Sequence, residues 1–417
     1  MRSRFLYLLV LRQHSNANAS TIVCAMRTGC WLLLTMIVFA TTSSSDVKAS
    51  ELRSEADAQL VYVGTYTDRD SKGIYAYTFD ETTGELKSIG LAAETPNPSF
   101  LAIDSDGRHV YAANEINQFK GNAAGSVTAF ATDPVTHKLI ELNAVASGGT
   151  GPAYVSIDRL GSNVLAANYG GSSIASFRVL QDGRLAEATA VVQHKDAAGV
   201  AKPRVPRPHS IITSDDNRFL IVPDLGLDQV MVYRFDEATG AIGANTPPSS
   251  SSEAGSGPRH FKFHPKGNFG YVTNEYRSSI TVYSYDSARG VLTPLQSVSI
   301  RPDNHQGENT AAELTIHPSG NYLYASNRGH DSIAVFSVDG RTGRLTLVEH
   351  VPAGGKKPRH FSVDPTGRWL IVANQDSDNL TVFRIDPQSG RLKRTGDDTP
   401  LSSPVFVLFA PAPSKQK

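Results

Sequence analysis

GPRHFKFHPKGNFGYVTNEYRSSITVYSYD, residues 257–286, decides the fold, because versions of it recur along most of the chain. It opens on Gly257-Pro258, followed by Arg259 and His260. Phe261 and Phe263 then alternate with polar neighbours, the period of a half-buried strand. His264-Pro265-Lys266-Gly267-Asn268 reads as a turn, with proline presetting one φ and glycine supplying a conformation other residues resist. A second strand, 269–273, exits at Asn274-Glu275. A third, 280–285, ends at Asp286, and a weaker run over 292–298 makes four strands.

Working outward from this unit, the copies align on Pro98, Pro152, Pro208, Pro258, Ala312, Pro358 and Pro404, at intervals of 54, 56, 50, 54, 46 and 46 residues. A four-stranded unit at this period implies radial repetition, since one small sheet cannot cover both its faces unless neighbours stack on it. Seven openings are present but only six full units follow them. The seventh, at 403–409, stops after one strand, and the missing strands lie at the other end of the domain: VYVGT at 61–65, then 73–79 and the run near Leu86. The sequence therefore predicts an all-β, seven-bladed β-propeller of four-stranded antiparallel blades. One blade is closed by N- and C-terminal strands together, which leaves no unpaired edge.

The expected organisation is a leader over 1–49 and a single propeller domain over 50–417. Arg27 precedes an apolar run of ten residues, 31–40, and Val47-Lys48-Ala49 supplies a small-residue exit, the pattern of a secretory signal peptide. The run is short for a membrane span. Met26 is a second candidate start besides Met1. The mature domain is thus expected outside the cytoplasm, periplasmic or secreted. Cys24 and Cys30, the only two cysteines, both lie in the leader, so the domain has neither a disulfide framework nor a thiolate metal site. Forty basic residues balance forty acidic ones, and no overall field favours nucleic acid or an anionic membrane surface. Residues 249–256 and 193–206 read as exposed loops.

If the first strand of each blade descends the central channel and the second returns, blade openings and second-strand exits share one rim. The openings bring Asn97, Arg207, His209, Arg259, His260, Glu313, Arg359 and His360. The exits bring Glu115, Tyr169, Asp224, Glu275, Arg328 and Gln375, most of them following an asparagine. A concave mouth lined this way suits a polar ligand. The repeated asparagines have a plainer reading, as turn-formers bonding their own backbone. Recurrence of Arg-His at 259–260 and 359–360 points to blade-to-blade structure for those histidines, and His264 and His317, each before a proline, read as structural. Asp376, Asp378 and Asn379 lack the spacing of a calcium loop and read as a polar turn. His209, Glu275 and Arg328 fill slots that other blades fill differently, so the repeat does not account for them.

The units GPRHFKFHPKGNFGYVTNE, AAELTIHPSGNYLYASNRGHDSIAVFSVD and KPRHFSVDPTGRWLIVAN, together with VYVGTY near the start, resemble the seven-bladed lactonase family. That family includes propeller-type 6-phosphogluconolactonases and the fungal carboxy-muconate cycloisomerase. The resemblance covers residue 60 to the C-terminus. In the cycloisomerase branch the resemblance implies a metal-free site of one histidine, one glutamate and two arginines on one rim, and no cofactor is expected. These fall on His209, Glu275, Arg259 and Arg328; Arg207, His260, Glu313, Arg359 and His360, gathered on the same rim by the blade openings, are expected as substrate contacts. The implied partner is a small lactone.

Opening a lactone needs an attacking water, a base for its proton and donors for the oxyanion. His209 is the expected base, since an unperturbed imidazole titrates near neutrality. Glu275 is expected to orient it or to manage the leaving oxygen, and the two arginines to hold anionic oxygen through forked hydrogen bonds. The same four groups also suit a cycloisomerase, and a propeller of this kind can serve purely as a binding module.

Overall fold

The computed structural model describes residues 58–196 and 204–411. Within them, strand chemistry follows position in the blade. The second strand of the deciding repeat, Phe269–Asn274, buries every residue but its first, because neighbouring blades cover both its faces. The outermost strands meet water on one side and alternate accordingly, as Leu185–Gln193 does. The described residues form seven four-stranded antiparallel sheets. Successive sheets touch around the ring, and inner strands such as Pro258–Phe263 and Pro358–Val363 pack on inner strands of adjoining blades.

Closure is as expected. The C-terminal strand Pro404–Phe409 pairs with Ala58–Thr65, setting Val407 opposite Val63, and Gly73–Asp80 and Leu86–Glu94 complete that sheet. The preceding blade seals the joint with Trp369, whose ring stands edge-on to Phe79 with centroids 5.9 Å apart while Nε1–H donates to Glu81 O at 2.8 Å. Elsewhere a buried tyrosine of one second strand donates to a glycine carbonyl in the next blade: Tyr111 to Gly183, Tyr271 to Gly343, Tyr324 to Gly390. Gly343 has φ +71°, and a Cβ there would stand 2.6 Å from the Phe269 ring, so this contact needs glycine. His264 and His317 serve the same purpose, each ring meeting a glycine carbonyl of the following blade, Gly320 at 3.0 Å and Gly367 at 2.8 Å.

Three local expectations change. Register places Ala311, not Ala312, opposite Asn327, just as Pro258 stands opposite Asn274, so that unit opens one residue earlier. The polar stretch 249–256 is only partly a loop. Ser249 and Ser250 pair within the outer strand Ala241–Ser251, and Ser256 is buried, its carbonyl accepting from Tyr276 N. The exit asparagines do not bond their own backbone. Asn114, Asn168, Asn274, Asn327 and Asn374 are all buried and tie the second strand to the third strand or to the chain entering from the previous blade, as Asn327 does to Ile300 O at 2.7 Å. Asp224 replaces them in its blade, accepting from the backbone N–H groups of Arg207, Gly226 and Leu227. Asp376 and Asp378 sit in a turn and pair with Arg69.

Among the described residues no helix is long and apolar enough to cross a membrane. The expected leader lies outside the described residues, as do residues 197–203 of the loop expected at 193–206. Of that loop's cations, Arg204 pairs with Asp196 and Asp228 and Lys195 is exposed.

Candidate functional site

Each blade opening carries a β-bulge. Pro258 stands opposite Asn274 and His260 opposite Thr273, so Arg259 is an extra residue in its strand; the same shift recurs at Pro98/Phe100, Pro152/Tyr154 and Pro358/His360. Strict alternation would send consecutive residues to opposite faces. The bulge re-aims one of them, and both Arg259 and His260 reach groups around the channel.

The rim cluster brings together three of the four expected residues in direct contact. Oε2 of Glu275 lies 2.9 Å from Arg259 Nε and 3.1 Å from an Arg328 terminal nitrogen. Arg259 also donates to Ala312 O at 2.9 Å and Arg328 to Ala311 O at 2.8 Å. Burial alone would raise the Glu275 pKa, but Arg328, Arg259 and Arg359 outweigh it and hold the carboxyl below its ordinary value. Burial, with the adjacent Arg328 charge, brings Arg259 down to about 9, which leaves it protonated at neutral pH. Glu275 is therefore an ionised counter-charge with both guanidiniums on it.

His209 belongs to the same mouth. Its ring packs against Tyr169 and His260, with centroids 5.3 and 5.1 Å away, and its Nδ1 is buried without a hydrogen-bond partner. Burial and the positive charges of Arg259 and Arg359, with His260 adding to them, push its pKa well below that of an ordinary histidine. At neutral pH it is a neutral imidazole with an unclaimed nitrogen. The expected bond from Glu275 to His209 does not form. Glu275 faces the arginines instead.

A second group completes the rim. Tyr66 donates to Glu115 Oε2 at 2.8 Å, and Arg359 lies 3.7 Å from that oxygen with its guanidinium over the Tyr66 ring. Burial works against the Arg359 charge, but Tyr66, Glu115 and Glu275 more than offset it, and its pKa rises. Arg207 lies over the Tyr169 ring, 5.0 Å from its centroid, and donates to Tyr169 O. Tyr66 was absent from the sequence candidates. Its signal was available, since it directly follows the VYVGT strand at an exit equivalent to that of Glu275.

Beneath the rim, one residue further along the inner strands, stand Phe100, Tyr154, Ser210, His260, Glu313, His360 and Phe406, all buried. Phe100 touches Tyr154 and Phe406 with centroids 3.9 and 4.1 Å away, filling one side of the channel. Of the expected substrate contacts, His260, Glu313 and His360 therefore sit in this second layer and touch one another. His260 Nδ1 is 2.8 Å and His360 Nε2 3.3 Å from Glu313 Oε2. Among the described residues no group of three or more histidine, cysteine, aspartate or glutamate side chains is placed to hold a metal ion.

The family described as lactonase, 7-bladed beta-propeller, matches residues 60–409, and the chain belongs to that family. A 6-phosphogluconolactonase of Bacillus subtilis is 32% identical over 301 residues, 72% of this chain and 83% of that protein. The solved structure of a periplasmic gluconolactonase, PpgL, of Pseudomonas aeruginosa is 35% identical, covering 85% of this chain and 99% of that one, with a TM-score of 0.79. A putative 6-phosphogluconolactonase of Bacteroides fragilis is 34% identical, covering 85% and 98%, with a TM-score of 0.78.

Proposed function

We propose that this protein hydrolyses a sugar lactone, a cyclic ester of an aldonic acid, using His209, Arg259, Glu275 and Arg328 on one rim of the propeller. The observation that carries the assignment of residues is the buried, unpartnered Nδ1 of a histidine held neutral by burial and neighbouring guanidiniums. The relatives named for 6-phosphogluconolactonase and gluconolactonase activity support the substrate class.

His209 takes a proton from water as that water adds to the lactone carbonyl, and the resulting oxyanion lies against Arg259 and Arg328. Collapse of the tetrahedral intermediate breaks the bond to the ring oxygen, which receives the proton back from the His209 imidazolium. The product is a hydroxy aldonic acid, which releases its carboxyl proton to solvent to give the aldonate, and His209 returns neutral. Glu275 keeps the two guanidiniums together and ionised. Arg359 and Arg207 add positive charge for an anionic substituent, and charge on this rim, rather than a metal, activates the carbonyl.

We further propose that residues 1–49 are an export signal and 50–417 the working domain. The basic flank and short apolar run of the leader and the periplasmic relative support this. A panel of phosphorylated and unphosphorylated aldonolactones, corrected for spontaneous opening and run with and without chelator, tests the activity. Opening above buffer that survives chelation is expected. No opening of any lactone would leave a binding propeller as the better reading, and loss on chelation would overturn the metal-free site.

A further inference from the structure

The second layer contains a carboxylate that packing does not require. Glu313 is 0% exposed, yet the equivalent slot in two other blades is filled by phenylalanine, Phe100 and Phe406. Burying a carboxylate costs several kcal/mol unless partners compensate, so its contacts indicate what it does. Oε1 accepts from Leu314 N at 3.2 Å and lies 3.9 Å from Lys262 Nζ, while Oε2 faces His260 and His360.

These partners fix two tautomers. Arg259 Nη1 lies 3.1 Å from His260 Nε2 and 3.4 Å from Nδ1, so the guanidinium rests against the ring rather than on one nitrogen's lone pair. A carboxylate oxygen only accepts, so the proton of the neutral ring sits on Nδ1, where it donates to Glu313 Oε2 at 2.8 Å. His360 is held the other way round. Its Nδ1 accepts from Val407 N–H at 3.2 Å, leaving its proton on Nε2, which faces the same carboxylate oxygen. Burial and the surrounding cations, Arg259 and Lys262 among them, keep both rings neutral.

We infer that Glu313 is a positioning residue for the rim site: by holding the proton of His260 on Nδ1, it fixes the ring against which the Arg259 guanidinium rests and so sets that guanidinium for substrate. Arg259 is then held through one terminal nitrogen by the His260 ring and Ala312 O, while its Nε lies 2.9 Å from Glu275 Oε2 as an ion pair without hydrogen-bond geometry. Without the carboxylate, the ring is free to place its proton on Nε2. The ring could then turn, and Arg259 would lose the surface it rests against. Glu313 itself touches no substrate. The same inward slot holds His260 and the ring wall beside His209, so one buried charge orders both the donor and the surroundings of the base.

The inference rests on the lactonase reading only for its kinetic arm. Histidine ¹⁵N NMR of the resting full-length protein, with the His260 signals assigned by comparison with His260→Gln, reads the tautomer without substrate. A neutral ring protonated on Nδ1 across about pH 5 to 8 is expected; a ring protonated on Nε2 would overturn the inference, whether or not any variant folds. On the best lactone, Glu313→Gln and His260→Gln should each lower kcat/KM by roughly ten- to a hundredfold. The double variant should be no worse than the poorer single one, because the two act in series. Glu313→Asp, which keeps the charge, should recover part of the rate. Additive losses, or a wild-type rate in Glu313→Gln, would assign Glu313 to packing alone. If His260 shows the expected tautomer and no lactone is opened, the positioning stands and the substrate class is what fails.

Discussion

Arg328 and Glu275 meet across a blade boundary, guanidinium nitrogen to carboxylate oxygen at 3.1 Å, although 53 residues separate them in the chain. The same oxygen, Oε2, also faces Arg259. One carboxylate thus offsets part of the charge of two mostly buried cations from neighbouring blades, and burial together with the repulsion that remains from Arg328 lowers the Arg259 pKa.

Removing that carboxylate leaves both guanidiniums uncompensated. Glu275→Ala is expected to cost about 3 kcal/mol of stability, the scale of breaking a buried pair by deleting one partner. Denaturant unfolding measures it; an unchanged midpoint would mean the arginines find other counter-charges. Glu275→Gln should lose most of the rate as well, since the amide leaves the two cations unopposed.

His209→Asn should reduce kcat by about a hundredfold or more, the contribution of a positioned base, with little change in melting temperature. Asn preserves part of the polarity of this buried position. A wild-type rate in this variant on the best substrate would remove His209 from the mechanism.

The pH profile follows from the direction of the His209 shift. Its pKa is lowered, so the neutral, active form already dominates well below pH 6.5. The rise with pH expected from an ordinary imidazole is therefore moved to acid pH, and kcat/KM should be flat through neutrality and fall only as pH drops through the depressed value. Glu275, also lowered, stays ionised over the same interval. A half-maximal rate near pH 6.5 or above, after subtraction of spontaneous opening, would contradict this environment for His209.

Arg328→Lys keeps the charge and loses the planar fork. Arg328 uses one terminal nitrogen on both Glu275 and Ala311 O, and an ammonium, though it carries three donors, has no second nitrogen held at a fixed distance to present to substrate. A drop of roughly tenfold or more in kcat/KM is expected, with the loss measured on the same lactone as for His209→Asn.

Deleting the chain from Ser403 onward removes the inner strand of the composite blade, along with the Tyr66 N–H to Ser403 O and Val407 N–H to His360 contacts. Two strand edges are exposed. The shortened protein should aggregate or melt far earlier, followed by light scattering and thermal unfolding; melting like the full chain would mean that the ring does not depend on this strand.

The blade, its number and its closure were legible in the chain because each rests on local pattern repeated seven times: period-2 apolar runs, a proline-glycine turn, and a stray C-terminal opening with its complement near residue 61. The candidate residues were legible for the opposite reason, as departures from the repeat at His209, Glu275 and Arg328. Even the unit opening at Ala311 was off by one residue, because two successive alanines give no local cue and only pairing with Asn327 fixes the register. Tertiary structure alone decided how the residues act. A bulge at each opening, invisible to strand periodicity, lets Arg259 and His260 both reach the channel. The charge state of His209 depends on burial and on Arg259 and Arg359, which come from other blades. Sequence determines which groups are available; their protonation and partners depend on distances across blade boundaries, and those exist only once the ring has closed.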